Sequence, residues 1–294
     1  MIASGRRDWF GLPGFDPGPR RHGGFLYLLD DVGSTSDFLL GRGDAAPGRL
    51  CRWDGWGWQA GDLHLIPPPE NVRPGSLAVA RRQSGGRGRQ GRSWFTAGGL
   101  AMSWTIAPVP RHQASRLAVW TGLMAVAVVG ELSGSPVRLK WPNDLYLEGR
   151  KLGGMILDLV QRGPERLLVA GLGINVGPWP EGMPAEVRSL ATTLPEGEAT
   201  TTAMLAQLVL RRCDDEIDRF LAEGWDPYRE LYETLDHLRD REVVLTAPGG
   251  TVRGLARGID DAGALQLETD DGSIRSVLAG DVHIAGIGER EESP

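Results

Sequence analysis

The chain has 294 residues, 41% hydrophobic and 24% charged, with a formal net charge of -6 and two cysteines. That balance fits one large and one small folded domain and excludes a general polyanion binder, which would carry a basic face. Two thiols, Cys51 and Cys213, cannot staple a chain this long, and no Cys/His spacing resembles a zinc site. No metal centre is expected, and a reducing, cytoplasmic setting is.

Residues 1–24, rich in Gly, Pro and Arg, form an irregular extension without an apolar targeting core. The apolar run 25–29 suits a strand and 30–37 a turn, with Ser34 or Thr35 capping a short helix that carries Phe38, Leu39 and Leu40. Residues 41–74 read as an insertion holding Trp53, Trp56 and Trp58 among glycines. Trp56-Gly57-Trp58 suits a hairpin and 63–66 a returning strand, the indoles covering the insertion's own small core rather than forming a binding platform. Strands follow at 76–80 and 100–106, then a helix over 114–132 ended by Gly134 and Pro136. Its apolar stretch 117–129 is too short to cross a bilayer and reads as a buried helix, so no membrane partner is expected. Residues 138–141 form a short strand into the turn 142–144. Segments 145–147 and 153–160 flank a turn at 149–150, and 167–176 is the antiparallel neighbour of 155–160.

Leu205, Val209, Cys213, Ile217 and Leu221 recur every four residues, which predicts a helix over 203–221 with Cys213 as a core thiol. From Glu242 the texture changes to short strands at 242–247, 251–259, 264–268 and 273–277, separated by Gly, Pro and Asp turn signals. They predict a compact β-barrel of about fifty residues, linked to the main domain through 226–241.

Three motifs carry chemistry. In Gly85-Gly86-Arg87-Gly88-Arg89-Gln90-Gly91-Arg92-Ser93-Trp94, glycines permit close backbone approach and arginines supply bidentate, charged donors. That suits a triphosphate, an adenylate or a leaving pyrophosphate. The tract is neither a P-loop nor a dinucleotide fingerprint. Such tracts also serve as solvated loops or RNA-binding segments, so a non-catalytic ligand- or RNA-binding module stands as an alternative. In Lys140-Trp141-Pro142-Asn143-Asp144, followed by Arg150-Lys151-Leu152-Gly153-Gly154, Pro fixes a turn and Lys151 enters a glycine-opened strand. In Gly171-Leu172-Gly173-Ile174-Asn175, alternating glycines let a ligand or another backbone approach a strand.

These motifs, in this order and with Ser34, Thr35 and Gln83 ahead of them, resemble the biotin–protein ligase family over residues 25–287. The resemblance implies an α+β fold. A mixed, largely antiparallel sheet with flanking helices would form a biotin/lipoate ligase-like catalytic domain over 25–238, and a small SH3-like β-barrel would occupy 239–288. It implies that biotin and MgATP give biotinyl-5′-adenylate and pyrophosphate, the acyl group then passing to a lysine of a carboxylase's biotin carboxyl carrier domain. Biotin, ATP and Mg2+ enter as substrates, without a tightly bound cofactor.

By position, Ser34, Thr35, Ser36, Gln83, Gly86 and Arg87 would hold or close over biotin, with Gly88 and Arg89 in the same loop. Arg87, Arg89 and Arg92 would stabilise phosphate charge. Lys151 would contact the carboxylate and α-phosphate, with Asp144 orienting it or taking a proton from the acceptor amine. Trp94, Lys140, Asn143, Gly153, Gly154, Gly173 and Asn175 complete the expected binding set. Ser36 departs from the family's usual Asn, and the stretch up to Gln83 is longer than usual. No helix-turn-helix pattern precedes the catalytic region, so no DNA partner is expected. A lipoate or octanoate ligase is the alternative within acyl transfer. A homodimer through an exposed sheet edge is left open.

Overall fold

The computed structural model describes residues 8–9, 12–13, 17, 24–54, 57–94, 99–106, 109–110, 113–162, 165–179, 181–195 and 201–285. Strands β1 (Asp8–Trp9) and β2 (Leu12–Pro13) pair only with each other, and most of the expected 1–24 extension lies outside the described residues. The main sheet is built from β3 (Phe25–Val32), β4 (Ala46–Trp53), β5 (Trp58–Ala60), β6 (His64–Ile66), β7 (Leu77–Gln83), β10 (Leu100–Ile106), β11 (Arg138–Lys140), β12 (Asp144–Leu147), β13 (Arg150–Arg162) and β14 (Glu165–Ile174). Its order is β11-β12-β13-β14-β10-β7-β3-β4-β5, with β6 also on β4, and only the β3–β7 pair is parallel. Between β7 and β10 a small hairpin stands off the sheet: β8 (Gly86–Arg87) and β9 (Ser93–Trp94).

Alternation along β10 decides the two sides of the sheet. Leu100, Met102, Trp104 and Ile106 enter one core with α2 (Ala114–Ser133) and α4 (Thr202–Glu223), while Ser103 and Thr105 face the other way. Gly134 ends α2 in a left-handed conformation, φ 64°. Thr201 caps α4 by accepting the Met204 N–H at 3.2 Å. Trp120 stacks on Phe220 at 5.0 Å, joining the two helices. Of the described helices, α2 is long and apolar enough to cross a membrane, and it is mostly buried between the sheet and α4. On the opposite side, the short α1 (Thr35–Leu39) presses Phe38 and Leu39 against Tyr27, Ala78 and Val169. Ser34 caps α1 by accepting the Asp37 N–H at 3.4 Å.

Several expectations need correction. β3 runs to Val32, so 30–37 is strand and helix around a two-residue link rather than a turn. The tryptophan segment has no separate core. β4 was not foreseen, and it pairs with β3 and carries β5 and β6, while Trp58 joins the main core against Trp53 at 5.8 Å. Trp56 lies outside the described residues. Two helices, α3 (Ala185–Leu190) and α5 (Arg229–Leu235), were also unforeseen; both are short and weakly periodic.

The C-terminal unit is a five-stranded antiparallel sheet in the order β18 (Ile274–Val277), β17 (Leu265–Glu268), β16 (Gly250–Ile259), β15 (Glu242–Ala247), β19 (Asp281–Ile284). The four anticipated strands lie within a residue of the reading, and β19 is the addition. Val243, Leu245, Leu265 and Leu267 continue the main core. Trp141 donates its Nε1–H to the Gly263 carbonyl at 2.9 Å, and Arg229 pairs with Asp261. The unit is therefore docked, not tethered.

Candidate active site

A cavity of about 660 Å³ lies on the α1 side, bounded by the β8–β9 hairpin, the β12–β13 turn region and β19. Its polar floor follows from register. The β3–β7 pairing sets Val32 beside Gln83, so the side chain of Gln83 reaches the start of α1. Gln83 Oε1 accepts the Thr35 N–H at 2.7 Å and the Thr35 hydroxyl at 3.0 Å. Beneath them Ser103 Oγ lies 2.8 Å from Thr35 Oγ1 and 2.9 Å from Ser36 Oγ. Ser103 was missed by sequence reasoning. Its signal was available: a polar residue in a mostly apolar strand, on the face it shares with Thr105.

The glycines of β14 make room for this arrangement. A Cβ on Gly171 would stand 2.4 Å from Ser36 Oγ, and one on Gly173 would stand 2.6 Å from Trp94 Nε1. The alternation thus admits a helix side chain and an indole. Gly154 keeps space for the charged pair beside it, since its Cβ would be 3.1 Å from Asp144 Oδ1. Gly86 and Gly153 do not line the cavity as expected. A Cβ on Gly86 would meet the Trp94 carbonyl at 2.5 Å, and one on Gly153 the Gly173 carbonyl at 2.5 Å, so both serve close packing of backbone.

Lys151 Nζ lies 2.7 Å from Asp144 Oδ1, because adjacent strands β12 and β13 place them on one side. The same ammonium stands 5.8 Å from the Trp94 ring. The three arginines of the hairpin separate into different environments. Arg87 reaches Asp37 and Asp158, each at 2.9 Å. Arg92 pairs with Asp281 and with Gln90. Arg89 meets only neutral acceptors, Asn143 Oδ1 at 3.4 Å and the Gly280 carbonyl at 3.3 Å; among the described residues no carboxylate lies within 4.0 Å of it. The three arginines expected to stabilise phosphate thus stand in different surroundings, and of the three Arg89 alone has no carboxylate partner among the described residues. Hairpin geometry explains the separation: Gly86 pairs with Trp94, the Gly88 N–H donates to the Arg92 carbonyl at 2.7 Å, and Gln90 (φ 55°) and Gly91 (φ 73°) turn the tip.

Asn143 donates its side-chain amide to the Met155 carbonyl, and the Met155 N–H returns to the Asn143 carbonyl at 2.9 Å, which fixes the turn after Trp141. Asn175 donates to the Thr192 carbonyl at 3.1 Å and so holds the 191–194 segment over the site. Lys140 lies 3.3 Å from the Tyr146 hydroxyl. Burial lowers the Lys140 ammonium pKa, Asp144 partly opposing it, and burial pushes Tyr146 up to about 12. The His237 ring lies tilted against Tyr146 at 4.7 Å, and its pKa is lowered to about 4, first by burial and then by Arg241. Burial pushes Cys51 to about 12, so it offers no reactive thiolate. Tyr146, Trp179, His237, Gly280 and Asp281 line the cavity without having been anticipated. Nothing local marks them, since long-range packing brings them in.

No group of three or more His, Cys, Asp or Glu among the described residues is placed to hold a metal. What the cavity offers is a neutral hydrogen-bonding floor, apolar walls at Ile156 and Trp94, and cations at Lys151 and Arg89. That suits a small acid with a polar head whose carboxylate meets a phosphate beside Lys151.

The comparisons agree with this geometry. Residues 68–175 match the Biotin/lipoate A/B protein ligase family, and 240–284 match the Biotin protein ligase C terminal domain. The chain is 34% identical over 226 residues to the bifunctional ligase/repressor BirA of Salmonella typhimurium, covering 75% of this chain and 70% of that protein. It is 30% identical over 227 residues to the biotin--[acetyl-CoA-carboxylase] ligase of Paracoccus denitrificans, covering 74% and 92%. Among solved structures, the biotin protein ligase from Aquifex aeolicus in complex with biotin and ATP superposes with a TM-score of 0.67 at 25% identity, covering 88% of this chain and 99% of that one. With its cavity, its docked C-terminal unit and these matches, the chain belongs to the biotin–protein ligase family.

Proposed function

We infer that the protein is a biotin–protein ligase that uses ATP to form biotinyl-5′-adenylate and passes the biotinyl group to a protein lysine. One observation carries the reading: a neutral hydrogen-bonding floor and the Lys151–Asp144 pair with Arg89 share a single cavity. In the first step the biotin carboxylate attacks the α-phosphorus and pyrophosphate leaves. Both partners are anions, and Lys151 between them offsets their repulsion. Asp144 holds Lys151 in place. Arg89, with no carboxylate on it, stabilises charge on the phosphates, while Arg87 clamps the hairpin to α1 and β13. In the second step the acceptor amine attacks the acyl carbon and AMP leaves. That amine has an ordinary pKa near 10.4, so it must lose a proton, and Asp144 is our candidate acceptor.

Mg2+ enters as MgATP, carried by the phosphates of the nucleotide, which are its usual ligands. The Paracoccus relative is named for acetyl-CoA-carboxylase, and the acceptor proposed here is a lysine on the biotin carboxyl carrier domain of such a carboxylase. We place the reaction in the cytoplasm, where ATP and reduced thiols coexist. The repressor half of the Salmonella relative's name is not carried over.

A lipoate or octanoate ligase is the competitor within the wider family, and the C-terminal match favours biotin. An RNA-binding module is disfavoured because Arg87 and Arg92 are already engaged by carboxylates. Acid-dependent exchange of labelled pyrophosphate into ATP tests the reading. Exchange with biotin is expected; exchange with lipoate or octanoate alone would replace biotin as the substrate.

A further inference from the structure

We propose that Ser103, a fully buried residue that does not line the cavity, is a positioning residue that makes the floor selective for a cyclic urea. This rests on the biotin reading above and says how the floor recognises that ligand. A backbone N–H can only donate, so the Gln83 atom 2.7 Å from Thr35 N is the carbonyl oxygen. The Thr35 hydroxyl, 3.0 Å from the same oxygen, must spend its single proton there. Its contact with Ser103 at 2.8 Å is then one it accepts, so Ser103 donates. Ser103 has no proton left for Ser36 at 2.9 Å, so Ser36 donates to Ser103. Ser103 is 0% exposed, Ser36 2% and Thr35 3%, so solvent has little access with which to reverse the order.

The chain therefore runs one way, from Ser36 to Ser103 to Thr35 to Gln83. At one end Ser36, its proton spent, presents only lone pairs to the cavity it lines. At the other end Gln83, which lines the cavity, holds its oxygen on Thr35 and so carries a donor, the amide nitrogen, on its other side. A urea ring presents the complement, a carbonyl acceptor next to an N–H donor. A dithiolane presents neither. Gln83 is fixed by the Thr35 N–H whatever stands at 103, so the distinctive contribution of Ser103 is to hold Ser36 as an acceptor.

The test is calorimetric binding of biotin, without ATP, to the full chain and to Ser103→Ala, alongside the two isosteric analogues in which one ring N–H is replaced by oxygen. One analogue sets an oxygen against the Ser36 lone pairs. The parent chain should bind it roughly tenfold or more weakly than biotin, about the worth of one or two hydrogen bonds. In Ser103→Ala the Ser36 proton is released and can turn to that oxygen. Biotin should then bind several-fold more weakly and the penalty on the analogue should shrink to within about threefold. An unchanged affinity for biotin, or an unchanged penalty in a folded variant, overturns the proposal, since a merely structural loss would weaken both ligands alike. Should Ser103→Ala fail to fold, Ser36→Ala carries the test: loss of the penalty supports the proposal and its retention overturns it. A parent chain that binds lipoate and not biotin overturns the ligand reading and this proposal together. That outcome is distinct from failure of Ser103 alone, where the parent still binds biotin.

Discussion

Gly173→Ala separates strain borne by the hairpin from strain borne by the sheet. A Cβ at this position would stand 2.6 Å from Trp94 Cε2 and Nε1 and 2.9 Å from Cζ2, roughly an ångström inside ordinary contact. The indole must lift, and β9 with it, because Trp94 pairs with Gly86. Overpacking of this depth costs about 1–3 kcal/mol. The hairpin is held largely by partly exposed ion pairs from Arg87 and Arg92, which are individually weak, so it yields before β14 does. Opening relieves the strain in the free protein, and closing over ligand restores it. Biotin binding should therefore weaken roughly 5- to 150-fold, the equivalent of that cost, while the melting temperature falls only a few degrees. Gly153→Ala supplies the contrast. Its Cβ would meet the Gly173 carbonyl at 2.5 Å, and backbone in a central strand cannot step aside, so the cost should appear as lost stability. Calorimetric affinity and thermal melts on both variants decide it. Parent-like biotin affinity in Gly173→Ala, or a stability loss equal to that of Gly153→Ala, refutes the reasoning.

Lys151→Met should slow adenylate formation by about a thousandfold, because a charge contact at about 4 Å in a half-exposed site is worth about 4 kcal/mol. Single-turnover formation of the adenylate checks this, and a loss under tenfold would remove Lys151 from the chemistry. Arg89→Ala should release adenylate to solvent faster while Arg87→Ala mainly loosens the hairpin; trapping of released adenylate by bystander amines distinguishes them. Asp236, whose usual value is 3.8, is raised by burial to about 6. The folded chain thus holds an extra proton between those values, a contribution complete below the lower one and lost as pH rises through about 6. Asp236→Asn should raise the melting temperature at pH 8 and not at pH 4. His237 has the opposite sign: its neutral form favours the folded chain, and that is lost as pH falls from 6.5 through about 4. Removing Asp236 should therefore expose a steeper acid-side decline in melts across that window, and an unchanged profile would show that burial of Asp236 contributes nothing.

Much of the catalytic face was legible locally. The four-residue spacing from Leu205 to Leu221 specified α4, the segment 100–106 was read as the strand that is β10, and the motif residues at 140–144, 150–154 and 171–175 all arrived near one cavity. Patterns of this kind are written by neighbours a few residues apart, so a sequence displays them directly. The tryptophan segment misled because its indoles pack against strands distant in sequence, and the same residues would serve an isolated hairpin equally well.

The opening and closing features of the site differ most in this respect. Glycine and arginine content alone determined that the segment 85–92 would form a tight, cationic loop. Only tertiary structure decided which arginine keeps its charge available. Asp37 and Asp158 take Arg87, and Asp281, on a strand that the sequence did not reveal, takes Arg92. Arg89 is left facing neutral groups. The physical reason is that a side chain's charge is set by its formula, whereas its electrostatic effect is set by partners within a few ångströms. Those partners come from chain segments up to 189 residues away.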